Sequence, residues 1–298
     1  MKFEEAATIV QRSVIAIAFG LKTNGLPNIV GTGFGVDDQE GARSTEFFAT
    51  CWHVAEEEFI VGNYNGKDLS RNGFIDGIPR VALRTQNGDF YQWKWYKLTG
   101  IPIRHTYWNE EDVCIYQFDG ISRISGVQVP PLVLSSEAES KSIWGSEVGI
   151  CGFPTGCNLQ DISLQPFLIK TIISGTPIYK FKRLVKENGR NSFKDVKSPR
   201  YALGCSISAG FSGSPVFSVR DNGLVMGMID WMPLEEDEWS SKFVTKNVEG
   251  ETGFAAKSHI SCLEGTIQGQ YPMGFSFAIS TMRILSVLKG HPNFKVPE

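Results

Sequence analysis

Short runs rich in β-branched and aromatic residues, each closed by Gly, Asn or Asp, follow one another along most of the chain. In the first half they are Val14–Phe19, Ile29–Val36, Glu46–Thr50, Arg80–Thr85, Phe90–Leu98 and Asp112–Phe118. The second half repeats the pattern with Glu147–Gly152, Phe167–Ile173, Tyr201–Cys205, Pro215–Val219, Leu224–Asp230 and Met273–Ile279. Helical spacing is confined to the two ends. Met1–Arg12 places Ala6, Ala7, Ile9 and Val10 behind early glutamates, and Thr281–Lys289 follows Ser280 as N-cap and stops at Gly290 and Pro292. Pro130–Gly145 is irregular and reads as a linker, which divides the chain into units 1–130 and 131–298. Two sets of about six strands with turn-rich connections predict an all-β fold: two packed six-stranded antiparallel β-barrels with short N- and C-terminal helices. Two polar insertions interrupt the second half. Lys180–Arg200 is basic and holds the turn signal Asn188-Gly189, and Pro233–Gly269 is long and acidic at Glu235-Glu236-Asp237-Glu238.

Charge removes one class of function. With 29 Lys+Arg against 32 Asp+Glu in 298 residues, the net charge is −3 and no basic footprint for nucleic acid is present. No run approaches the ~18 apolar residues of a membrane-spanning helix. Val14–Leu21 is strand-sized, and Glu4 and Glu5 spoil a secretory leader, so neither membrane insertion nor secretion is expected. The six cysteines, Cys51, Cys114, Cys151, Cys157, Cys205 and Cys262, show no CxxC spacing and read as buried thiols of a cytoplasmic protein. His53, His105, His259 and His291 are scattered and no HExxH occurs, so neither metal nor other cofactor is expected.

Three segments can carry chemistry. Phe47 to Ala55 ends a strand at Thr50 and opens a polar helical turn with His53. Asn109 to Tyr116 sets Asp112 directly before an apolar strand, where its carboxylate can be buried against a partner. Ser208 to Phe217 holds Ser212 between two glycines, just before Pro215 and a further strand. A turn that tight can aim consecutive backbone N–H groups into one concavity that holds a negative oxygen. Taken singly, each also fits a plain structural role: an exposed histidine, a solvated strand start, a Gly/Ser loop.

In register, the segments resemble the trypsin-like serine peptidases, and in particular the HtrA type of catalytic domain. Gly31-Thr32-Gly33-Phe34 and Ala49-Thr50-Cys51-Trp52-His53-Val54 are similar to the family's glycine strand and Thr-x-x-His-Val segment. Asp112-Val113-Cys114-Ile115 resembles Asp-Leu-Ala-Val, and Val148 to Pro154 resembles Val-x-Ala-Ile-Gly-Asn-Pro. Gly210 to Pro215 resembles Gly-Asn-Ser-Gly-Gly-Pro, and Gly274 to Ile279 resembles Gly-x-Gly-Phe-Ala-Ile. The resemblance implies a chymotrypsin-like double barrel with Ser212 as nucleophile, His53 as general base and Asp112 as the acid that orients it. It also implies an oxyanion hole from the N–H groups of Gly210 and Ser212. The substrate pocket would be lined by Ser206, Ile207, Ser208, Asp230, Trp231 and Met232.

Several departures from the family pattern bear on regulation. Phe211 stands where an Asn or Asp usually precedes the serine, so pairing with a newly cleaved N-terminus is excluded. Ser214 replaces a glycine, and Val54 stands where secreted relatives carry a disulfide cysteine. No PDZ module follows the last helix in this sequence. The expectation is a serine endopeptidase acting on protein or peptide substrates and controlled by a regulatory protein partner or ligand. The alternative is an inactive protease-fold binding module. Met232 predicts a short apolar primary pocket, whereas an inward Asp230 would favour a basic side chain. The Lys180–Arg200 insertion is either a dock for an acidic partner or a solvated loop.

Overall fold

The computed structural model of the protein describes residues 2–36, 44–55, 74–87, 90–98, 103–108, 111–118, 120–136, 144–154, 164–175, 178–187, 190–231, 234–235, 271–272 and 276–292. Helix α1 (Phe3–Gln11) comes first, with Ala6, Ala7 and Val10 buried. Seven strands of the first half follow: β1 (Val14–Lys22), β2 (Pro27–Val36), β3 (Phe47–Cys51), β4 (Phe74–Asn87), β5 (Phe90–Lys97), β6 (Ile103–Trp108) and β7 (Val113–Phe118). They form one antiparallel sheet in the order β5-β4-β1-β2-β3-β7-β6. Residues 14–19 of β1 are buried without alternation, so both faces of this strand are covered. Strand β6 is the one first-half strand that the sequence pattern does not reveal.

The second half contributes β8 (Glu147–Gly152), β9 (Phe167–Gly175), β10 (Ile178–Glu187), β11 (Arg190–Leu203), β12 (Pro215–Ser218), β13 (Val225–Trp231), β14 (Leu234–Glu235), β15 (Tyr271–Pro272) and β16 (Ser276–Ser280). The sheet order is β10-β11-β16-β13-β12-β8-β9, and β11 also pairs with β9. That extra pairing closes six strands into a barrel and leaves β10 outside it. Closure removes the sheet edges that would otherwise present unpaired N–H and C=O groups. Strands β14 and β15 form a separate two-stranded ladder.

The basic insertion is a long hairpin. Residues 178–187 pair in unbroken register with 190–199, from Ile178↔Pro199 to Glu187↔Arg190. The two-residue link at Asn188-Gly189 and most of the Pro233–Gly269 insertion lie outside the described residues. Strand β11 therefore has two parts: its outer length belongs to the hairpin, and Arg200–Leu203 pair with β16 inside the barrel.

Helix α2 (Thr281–Lys289) starts and stops where the capping signals put it. The Ser280 hydroxyl accepts from the Met282 N–H at 3.2 Å, and Gly290 is the C-cap. The larger apolar core runs across both halves. It joins Ile15, Phe34, Phe48 and Ile115 from the first sheet to Phe153, Phe217, Met228 and Ile279 from the second. A smaller cluster around Ile150, Tyr201, Val216 and Ile229 fills the barrel. The two halves consequently pack as one body with a seam between them, and the three chemistry-bearing segments meet along that seam.

Candidate active site

Strand β3 delivers the imidazole. It ends at Cys51, and a helical turn over 52–55 carries His53 away from the sheet. The Trp52 N–H donates to the Asp112 carbonyl at 3.1 Å, which ties this turn to the residue preceding β7. Asp112 then grips His53 twice. Its Oδ1 accepts the His53 backbone N–H at 2.9 Å, and its Oδ2 lies 2.6 Å from Nδ1. An ionised carboxylate can only accept, so the short contact assigns the proton to Nδ1 and leaves Nε2 as the acceptor. The Asp112 side chain is buried, while that of His53 is 39% exposed, the burial pattern of a base that must reach a substrate. Asp112 holds this pose in a left-handed backbone conformation, φ 57°, which a non-glycine residue seldom adopts.

The Ser212 turn docks on β2. The Thr32 N–H donates to the Ser212 carbonyl at 2.8 Å, and the Thr32 hydroxyl donates to the Gly210 carbonyl at 2.8 Å. The same hydroxyl accepts the Phe153 N–H at 2.9 Å. Glycine permits so close an approach: a Cβ at Gly31 would lie 2.5 Å from the Val54 side chain and 3.0 Å from the Ser212 carbonyl. Gly213, at φ +86°, would drive a side chain into the Thr32 carbonyl, and Gly210 stands at φ +91°. Among the described residues the N–H groups of Gly210 and Ser212 donate to no protein acceptor, whereas the neighbouring Gly213 N–H is taken by the Ile229 carbonyl at 2.8 Å. Two unengaged donors at one tight turn can hold a developing oxyanion. The Ser212 hydroxyl itself donates to the Asp230 carbonyl at 3.3 Å.

Asp230 connects this turn to the imidazole. Oxygen, nitrogen or sulfur atoms of Cys51, His53, Asp112 and Asp230 all lie within 4.8 Å of one another. Burial pushes the Asp230 carboxyl up to about 7; the Arg200 guanidinium opposes that rise, and the Asp112 carboxylate adds to it. Burial, then Asp112 and Asp230, hold the Cys51 thiol well above its usual range, and its Sγ donates to the Ile229 carbonyl at 3.0 Å. Cys51 is thus a neutral packing residue rather than a second nucleophile. These are also metal-ligating residue types. The cluster already contains its own counter-cation, because the Arg200 Nε donates to Asp230 Oδ2 at 2.6 Å.

The pocket residues are placed as follows. Ser206 and Ser208 are exposed on the approach to the Ser212 turn, and Ile207 is buried against the barrel cluster. Trp231 ends β13. Met232 lies outside the described residues. Asp230 is 6% exposed, and its carboxylate faces Arg200 and Asp112 instead of an open pocket. Phe211, 3% exposed, turns into the barrel cluster. Ser214 is fully buried, and its hydroxyl has no hydrogen-bond partner among the described residues. Ser214→Ala should raise stability by about 1 kcal/mol, because a desolvated hydroxyl without a partner is removed. Thermal unfolding measures this, and a lowered Tm would contradict it.

Sequence reasoning missed the parts played by Thr32 and Arg200. Thr32 carried a signal, since it sits between two glycines that mark close backbone approach. Arg200 carried none, being one basic residue at the end of a basic stretch.

Comparison with known proteins agrees with this fold. A family profile described as a trypsin-like peptidase domain matches residues 31–228, well over half of the chain. No curated protein sequence matches significantly. The solved active form of the Rv3671c protease from M. tuberculosis is similar with a TM-score of 0.51 at 15% identity, covering 98% of this chain and 86% of that one. The HtrA-type protease AlgW with a decapeptide is similar with a TM-score of 0.50 at 13% identity, over 97% of this chain and 67% of that one. The fold is therefore chymotrypsin-like, of the kind HtrA-type proteases have. With residues 31–36 of β2, the His53 turn, Asp112 and the Ser212 turn inside the matched span, the chain belongs to the trypsin-like peptidase family.

Proposed function

We propose that this protein is a serine endopeptidase that hydrolyses peptide bonds through an acyl-enzyme. The observation that carries the reading is the paired grip of Asp112 on His53, formed beside a serine turn with two open N–H donors. In the reaction the Ser212 Oγ attacks the scissile carbonyl while His53 Nε2 takes its proton. The Gly210 and Ser212 N–H groups stabilise the resulting oxyanion, each worth roughly 3–4 kcal/mol. The C–N bond then breaks, the amine leaves with the proton from Nε2, and water repeats the sequence on the ester.

Regulation by a partner or ligand belongs to the same reading. The Ser212 hydroxyl rests on the Asp230 carbonyl, so attack requires the hydroxyl to rotate away from that carbonyl towards the imidazole. A ligand that favours that rotamer raises activity, and one that favours the resting rotamer lowers it. We place the protein in the cytoplasm, because Cys51 and Cys151 are buried free thiols and Cys205 is free as well. Among the described residues no helix is long and apolar enough to cross a membrane.

A fluorophosphonate probe tests the activity directly. The purified chain should form a covalent adduct at Ser212, located by peptide mass spectrometry, since only an activated serine hydroxyl reacts appreciably. No adduct under conditions where a control serine peptidase labels fully would select the binding-module alternative. Cleavage of a peptide library varied at the residue before the cut then reads the primary specificity.

A further inference from the structure

A fully buried cation reaches across the seam behind the triad. Arg200, on the barrel part of β11, is 2% exposed. Its Nε donates to Asp230 Oδ2 at 2.6 Å, its Nη1 to Glu111 Oε2 at 3.2 Å, and its Nη2 to the Glu111 carbonyl at 3.1 Å. The last contact bears on chemistry, because Glu111 is joined by one peptide bond to Asp112, whose φ of 57° is unfavourable for a residue with a Cβ. The Trp52 N–H holds the Asp112 carbonyl from the other side at 3.1 Å. Asp112 is therefore clamped at the carbonyls of two successive residues, once by its own half and once by the barrel.

We propose that Arg200 is the positioning residue of the triad acid, its guanidinium fork binding Glu111 and Asp230 into one buried unit that fixes where the Asp112 carboxylate meets His53. The proposal rests on the peptidase reading, and it adds a residue that touches neither substrate nor the reacting atoms. Its charge is as necessary as its shape. The Asp112 carboxyl is close enough to Asp230 to raise the proton affinity of Asp230, and Arg200 supplies the opposing charge. Without Arg200, Asp230 holds its proton more firmly, and its existing hydrogen bond to Asp112 competes more strongly with Nδ1 for the same carboxylate. Among the described residues, the charged or titratable groups facing Asp230 are Arg200 from β11, Asp112 just before β7, His53 from the turn after β3, and Cys51 at the end of β3. Arg is specified over Lys because one ammonium cannot span Asp230, the Glu111 carboxylate and the Glu111 carbonyl together.

The experiment compares wild type, Arg200→Lys, Arg200→Met, and the charge-balanced double variant Arg200→Met/Asp230→Asn. The double variant leaves no carboxylate facing a missing cation at Asp230, so it remains informative if Arg200→Met does not fold. Steady-state kinetics and the far-downfield NMR resonance of the His53 Nδ1 proton, recorded below the imidazole titration, are the two readouts. In the double variant kcat should fall on the order of 100-fold with KM changed by less than about threefold. Arg200→Lys should lie between it and wild type, and the Nδ1 resonance should move or vanish as the Asp112 contact loosens. An unshifted resonance in a folded double variant overturns the proposal, as does a kcat within about twofold of wild type. A wild type that neither cleaves nor labels, but loses the resonance when Arg200 is replaced, removes the peptidase reading and leaves the positioning role of Arg200 standing.

Discussion

Ser212→Ala should lower peptide cleavage by about six orders of magnitude and abolish fluorophosphonate labelling, while the protein keeps its fold. The size follows from the division of labour in the site. Without Oγ there is no acyl-enzyme, and what remains is the oxyanion turn acting on water. The fold should survive because the hydroxyl makes a single 3.3 Å contact, to the Asp230 carbonyl, and the side chain is only partly buried. The turn is held instead by backbone: the Ser212 carbonyl on the Thr32 N–H, and the Ser214 N–H on the Phe211 carbonyl at 2.8 Å. The expected stability change is within about 0.5 kcal/mol, as for other substitutions that remove no buried contact. Turnover at the wild-type level, with unchanged Tm, would exclude Ser212 as nucleophile.

Asp112→Asn should lower kcat by about 10⁴-fold at neutral pH, with a much smaller effect on KM. The two contacts of Asp112 explain why so conservative a change acts so strongly. Oδ1 and Oδ2 each accept a hydrogen bond, one from the His53 backbone N–H and one from Nδ1. An amide offers one oxygen and one NH₂, so it can serve only one of these donors. If its oxygen keeps the backbone N–H, the NH₂ faces Nδ1, and the imidazole must take the tautomer with its proton on Nε2. That tautomer cannot receive the serine proton. The measurement is kcat and KM on one peptide for both proteins, and a kcat within tenfold of wild type would show that Asp112 does not set the tautomer. Comparison with Arg200→Met orders the effects: a changed acid should act more strongly than a displaced one.

The all-β class, both terminal helices and the three chemistry-bearing segments were legible because each is a local pattern. Ser280 and Gly290 bound α2 where capping chemistry requires. Gly31, Gly210 and Gly213 mark close approach or a left-handed backbone that other residues would strain to adopt. Strand β6 was missed because Ile103-Arg104-His105-Thr106-Tyr107-Trp108 has no clean polar–apolar alternation, and its pairing with β7 is a non-local choice. The hairpin over 178–199 read as a polar insertion for a similar reason. Its Asn188-Gly189 signal predicted the turn, but charged residues hid the strands on either side. Asp230 and Arg200 show where sequence reading stops. Asp230 read as a pocket residue and Arg200 as one more surface cation, yet each is buried against the other. Burial of a charge depends on what faces it, and here the partners stand 30 and 89 positions away along the chain.

The strand order of the barrel has a consequence for biosynthesis. The first sheet has all its strands by Phe118, so its ladder can form while the ribosome is still making the remainder, Arg200 included. The barrel cannot follow so early, because β16, near residue 280, lies between β11 and β13. Until β16 has emerged, the nascent polypeptide has no closed wall behind the Ser212 turn. On the peptidase reading proposed above, a half-made chain is thereby kept from cutting its neighbours on the polysome.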